Sequence, residues 1–137
     1  MPADPTATAR TTDQPGRFLL SARDVHFVAD ASSARGGTGE ALVAAELFLS
    51  SLAACGLAIV TDVARKRGST MRSATVNTTY RIDPDDKTRF RRVGMQFLLA
   101  GVTQDEATSL VAAFTASCPI YNTVARTTPT DVWSEAV

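Results

Sequence analysis

The sequence predicts an α+β protein with mainly antiparallel sheets, and three features carry that expectation. Two short strand-like runs come first. A long apolar helix ending in cations and a glycine follows, and then a pair of long alternating strands leads into two helices and a last strand. The order is ββ-α-ββ-αα-β, without an internal repeat. At 137 residues the chain fits one domain with a real core.

The first fifteen residues hold Pro, Thr, Asp and Ala with no apolar centre. They do not have the make-up of a secretory signal and read as a flexible leader, 1–15, ahead of a single domain, 16–137. Arg17-Phe-Leu-Leu-Ser-Ala-Arg23 and Val25-His-Phe-Val-Ala-Asp30 read as two strands joined tightly at Arg23-Asp24. Ala31 to Gly39 is small and glycine-rich, hence a loop.

From Glu40 to Arg67 Gly56 is the only Gly or Pro, and Ala and Leu dominate, so this segment reads as a long helix. Arg65-Lys66-Arg67 complements the negative end of its dipole, and Gly68 supplies a left-handed cap. Its middle, Leu47 to Val60, is apolar nearly all round and needs cover on most sides, which implies a second subunit. Met71 to Asp83 alternates as a strand, Asp83 to Lys87 is a turn, and Phe90 to Ala100 returns. Thr103 and Glu106 have capping-box spacing at the start of a helix that presents Ala107, Leu110, Val111 and Phe114 on one face. Cys118-Pro119 opens another short helix, since Pro suits the first helical position. Thr130 to Val137 alternates as the last strand.

Composition narrows the partners. Lys plus Arg equals Asp plus Glu, 14 each, so no nucleic acid or anionic membrane is expected. Arg89, Arg91 and Arg92 read as a solvated strand face. The longest uncharged apolar stretch, Leu47 to Thr61, falls short of the roughly 20 residues a bilayer requires. A cytoplasmic location is therefore expected, where both cysteines would be reduced and any disulfide between them catalytic or sensory. His26, the only histidine, has no neighbouring ligand set and founds no metal site. A serine hydrolase is unsupported, because no Gly-x-Ser-x-Gly elbow occurs.

Taken alone, two cysteines read as small core residues. Their positions say more. Cys118 at a helix N-cap would have its thiolate favoured by free N–H groups and the dipole. Cys55, in the middle of an apolar helix, would have its pKa raised unless a cation is brought to it.

The segment Gly36-Gly-Thr-Gly-Glu-Ala-Leu-Val-Ala-Ala-Glu46-Leu-Phe-Leu-Ser-Ser-Leu-Ala-Ala-Cys55 resembles a signature of the OsmC/Ohr family, as does Cys118-Pro-Ile-Tyr-Asn122. The resemblance covers roughly Arg17 to Val137 and implies an OsmC-like fold, with antiparallel sheets wrapped around long central helices in an intertwined homodimer. It implies a thiol-dependent hydroperoxide reductase without metal or cofactor. Cys55 would attack an organic hydroperoxide, Cys118 would resolve the sulfenic acid as a disulfide, and a dithiol, such as a lipoylated protein, would reduce it. The activating cation in this reading is Arg23, with Arg17 and Arg35 as alternatives; an exposed turn or loop cation is the ordinary fate of each.

The departures from the family pattern are specific. Peroxidases of the family start this helix with Pro and carry, ten positions before the reactive cysteine, a Glu that holds the Arg. Those places are Ala44 and Ala45 here, and Glu46 comes one position later. Nine helical steps from Glu46 to Cys55 rotate by about 180° and rise about 13 Å, so Glu46 could reach only a partner's thiol. Its other reading is a first-turn acid on the helix dipole. The missing acid leaves two alternatives to the peroxidase: a non-peroxidatic OsmC-like stress protein or small apolar ligand binder, and a thiol redox sensor. Tyr121 and the apolar positions Leu47, Phe48 and Leu52 could line a substrate pocket or simply pack.

Overall fold

A computed structural model describes residues 3–137. The chain divides into two compact units, Met1–Phe48 and Leu49–Val137.

The first unit is a three-stranded antiparallel sheet of β1 (Ala7–Thr11), β2 (Arg17–Ala22) and β3 (Val25–Asp30), in that spatial order. The strand β1 corrects the expectation of a flexible leader: it pairs with β2 from Ala7↔Ala22 to Thr11↔Phe18. All five of its residues are exposed, so backbone pairing rather than apolar burial makes it a strand, and no hydrophobic alternation announced it. β2 and β3 meet at the two-residue turn Arg23-Asp24, where Arg23 holds φ 55°. Positive φ suits the hand of a tight hairpin but costs a residue with a Cβ about 1 kcal/mol.

Behind β3 the loop is tied down by polar groups. Arg17 donates from Nε to Asp30 Oδ1 at 2.8 Å and from Nη2 to Oδ2 at 3.0 Å. Thr38 Oγ1 and the Ala41 backbone N–H also donate to Asp30 Oδ2. Gly37 permits this closure, because a Cβ there would lie 1.8 Å from the Ala31 carbonyl oxygen. The Arg17 and Ala41 bonds hold the Asp30 carboxyl far below its ordinary range.

The long helix α1 spans Ala44–Lys66 and so begins four residues later than Glu40. The Ala41 N–H is committed to Asp30 and the Asp30 N–H to the Leu42 carbonyl, which keeps this stretch out of the helix. At its far end the Gly68 N–H reaches Arg65 O and the Ser69 N–H reaches Ala64 O, with Gly68 at φ 64°. This is a left-handed cap of the Schellman type. By length and composition α1 is apolar enough to cross a bilayer, a test that the core helix of a globular protein also passes. The shorter stretch counted from sequence stopped at Glu46 and Asp62, charges that the helix includes.

The second unit holds β4 (Ser73–Ile82), β5 (Phe90–Ala100), α2 (Gln104–Ser117), α3 (Pro119–Ala125) and β6 (Thr130–Ala136). β4 and β5 pair antiparallel as expected, but β6 lies parallel to β5, from Val93↔Thr130 to Leu99↔Ala136. A parallel return needs a crossover, and α2 with α3 supplies it. Alternate β5 residues Val93, Met95, Phe97 and Leu99 are fully buried, as are Leu110 and Phe114 from α2 and Leu52 and Val60 from α1. Each such side chain contributes roughly 1.5–3 kcal/mol by leaving water. Thr103 caps α2 as expected, accepting from the Glu106 N–H, while the Glu106 carboxylate takes the Ser69 hydroxyl. The Gln104 side-chain amide lies along β6, donating to Ser134 O and accepting from the Ala136 N–H, both at 2.9 Å.

Candidate functional site

Cys118 is the hinge residue between α2 and α3. Its N–H closes α2 on Phe114 O at 2.9 Å, and its sulfur accepts the Tyr121 N–H at 3.3 Å as the N-cap of α3. Pro119 follows where no N–H is needed. Asn122 Nδ2 donates to both Thr115 O and Cys118 O, which locks the corner. The Cys118 side chain is fully buried.

Cys55 stands on α1 beside Gly56, and the glycine sets the spacing there. A Cβ at position 56 would fall 2.8 Å from Phe97 Cζ, so only glycine admits that ring against the helix. Phe97 packs tilted against Phe114 with centroids 5.1 Å apart, and Phe114 likewise against Tyr121 at 5.2 Å. This aromatic row runs from α1 to the Cys118 corner. The two thiols lie within hydrogen-bonding reach of each other, Cys55 half-buried and Cys118 buried.

Burial, and then the hydrogen bond and charge of Cys118, push the Cys55 thiol up from 9.0 to about 11. No cation of the 49–137 unit offsets this. A thiol raised in this way is mostly protonated near neutral pH, and a nearby positive charge would favour its thiolate.

The other residues singled out from sequence lie in the first unit or at the helix start. Arg23 occupies the exposed hairpin turn, and Arg35 ends a short 3-10 turn, Ser33–Arg35. Arg17 is committed to Asp30, Thr38 and, at 3.4 Å, Glu40. Glu46 accepts the Val43 N–H at 2.9 Å, the third-residue half of a capping box. Its first-turn reading therefore has a specific geometry. Sequence reasoning named Asn122 only within the Cys118 motif, and Phe114 and Tyr121 singly as a helix-face and a pocket or packing residue. It gave Asn122 no role, did not join the rings into a row, and noted Gly56 only as the one break in the helix. The glycine next to Cys55 was the available signal. Among the described residues no group of three His, Cys, Asp or Glu side chains is placed to hold a metal ion.

Fold and site together define an α+β protein with neighbouring thiols, one half-buried on a long helix and one buried at a Cys-Pro corner. The OsmC family, described as OsmC-like protein, matches residues 37–132, and the chain belongs to that family. Solved structures agree in fold. An OsmC-like protein from Mycoplasma pneumoniae superposes with a TM-score of 0.82 at 17% identity, over 100% of this chain and 98% of that one. An organic hydroperoxide resistance protein OsmC from Legionella pneumophila gives 0.72 at 21% identity, over 98% and 96%. The organic hydroperoxide resistance protein OhrB of Bacillus subtilis gives 0.66 at 18% identity, over 97% and 98%. No curated protein matches the chain by sequence.

Proposed function

We propose that this chain is a cysteine-based reductase of organic hydroperoxides with a role in oxidative stress defence. The observation that carries the reading is that the Cys55 and Cys118 thiols are neighbours within hydrogen-bonding reach. The names of the Legionella and Bacillus neighbours point the same way. In this reaction the Cys55 thiolate attacks the peroxide. An S–O bond forms, the O–O bond breaks and the alkoxide leaves as an alcohol after taking a proton. The Cys118 thiol then attacks the sulfenic sulfur, forming the disulfide and releasing water. A dithiol reductant exchanges with that disulfide and restores both thiols.

The active species in this reading is a homodimer. Within one chain α1 buries only the line Leu52, Gly56, Val60 and Ala64. Leu49, Ala53, Leu57, Ile59 and Val63 keep partial exposure, and a second copy is the natural cover for so apolar a helix. A partner's Arg23 would then supply the cation that Cys55 lacks.

The test is consumption of cumene hydroperoxide with a dithiol reductant for wild type, Cys55→Ser and Cys118→Ser. Cys55→Ser should abolish turnover. Cys118→Ser should consume one equivalent and stop at a trappable sulfenic acid. Equal rates in all three would refute the assignment. The raised Cys55 thiol favours one other reading, a slow thiol sensor, which the same assay reveals as a disulfide formed without sustained turnover.

A further inference from the structure

A cleft of about 830 Å³ opens on the face of the second sheet that carries Arg81, Arg92 and Trp133, within the size range of small-molecule sites. The register explains its chemistry. Arg81 is paired directly across the strands with Arg92, and the ladder then slips, so that Ile82 faces Phe90 and Arg91 is left as the extra residue of a β-bulge. A bulge breaks strand alternation and re-aims a side chain. Arg91 and Arg92 are accordingly both exposed, and with Arg81 and Arg89 they bring four guanidiniums to one cleft. Like charges directly opposed across strands are destabilising, so this arrangement works against the sheet unless an anion joins it.

The carboxylates in the cleft do not cancel it. Asp83 is held by Arg89 at 2.9 Å and Asp131 by Arg92 at 3.1 Å. Arg81 and Arg91 have no carboxylate partner among the described residues, and Asp85 in the turn is the one acid left facing them. The cleft also has an aromatic wall. Trp133 lies over Gly94, where a Cβ would come within 2.9 Å of Thr79 Oγ1 and 3.6 Å of the indole ring, yet the indole stays 44% exposed.

We propose that this cleft binds a nucleoside polyphosphate, its phosphates on Arg81, Arg91 and Arg92 and its base against Trp133. The pairing of fork-shaped guanidiniums with phosphate oxygens and of a base with an exposed indole identifies the class. The site is separate from the thiol pair and does not depend on the peroxidase reading.

Trp133 is the only tryptophan, so the intact protein reports on its own cleft. ATP titrated at low salt should quench the indole fluorescence saturably, and added salt should weaken the binding. Arg81→Ala and Arg91→Ala, both at exposed positions, should each raise the dissociation constant about tenfold. Tripolyphosphate should compete about tenfold more weakly than ATP, and Cys55→Ser should bind as wild type does. An unchanged dissociation constant in the Arg81→Ala/Arg91→Ala double variant, with an unaltered thermal melt, would overturn the site. Tripolyphosphate binding as tightly as ATP would overturn the part given to the base. Displacement of ATP by a short oligothymidylate at far lower concentration would replace the free nucleotide with single-stranded nucleic acid.

Discussion

The two units of this chain are held by different forces. In the first, Ala29 and Asp30 are the only buried residues among those described, and the most connected group is a carboxylate with three donors. In the second, a dry core of Val93, Met95, Phe97, Leu99, Leu110 and Phe114 surrounds the corner that presents Cys118. One unit is latched by charge and the other by packing. The latch gives way only as pH falls well below the ordinary carboxylate range, whereas the packed core tolerates little loss of volume. The two thiols belong to the packed unit, and the arginines proposed to activate them belong to the latched one.

Four measurements would break or sharpen that contrast. Phe114→Ala removes the middle ring of the aromatic row and should cost about 3–5 kcal/mol in urea unfolding, with loss of Cys55–Cys118 disulfide formation. A cost below about 1 kcal/mol would mean that the row is not a core. Asp30→Asn should act on the other unit, exposing 1–48 to proteolysis while leaving 49–137 protected. Its effect depends on pH with a definite sign. The folded carboxyl is held far below 3.8, so its stabilisation is complete above about pH 4 and is lost as pH falls through the folded value. The gap between wild type and Asp30→Asn should therefore narrow in acid.

Two smaller effects concern the reactive groups. Arg23→Gly relieves a left-handed backbone and should stabilise by up to about 1 kcal/mol, yet lower the peroxidase rate; a rate unchanged by it would remove Arg23 from the reaction. Cys118→Ser removes the second cause of the Cys55 shift but not the first, burial. The pH midpoint of Cys55 alkylation should move below that of wild type, while a midpoint moving upward would contradict the contact.

Much of the packed unit was legible in the sequence, because its signals are local. The bounds of β5, the Thr103 cap and the Cys118-Pro119 start all appear where the pattern put them. What escaped is non-local. β1 has no buried face, so nothing in its composition marks it. Alternation in Thr130–Ala136 reveals a strand but not its direction, which the two-helix crossover decides. The helix began at Ala44 because Asp30, far back in sequence, captured the Ala41 N–H. In the site, the cysteine positions could be read directly. The rise in the Cys55 pKa was expected from helix burial, but the share due to Cys118 required the two thiols to be seen together.

The Gln104 side chain occupies the place on β6 where a neighbouring peptide unit would bond. β6 is the outer strand of its sheet, and such a strand is a template on which other chains can add and grow into fibres. A single carboxamide, anchored in the first turn of α2, imitates one rung of the missing strand and so terminates the ladder. Gln104→Ala would leave the core untouched and the catalytic assay unmoved, yet it would turn this margin of the molecule into a growth point.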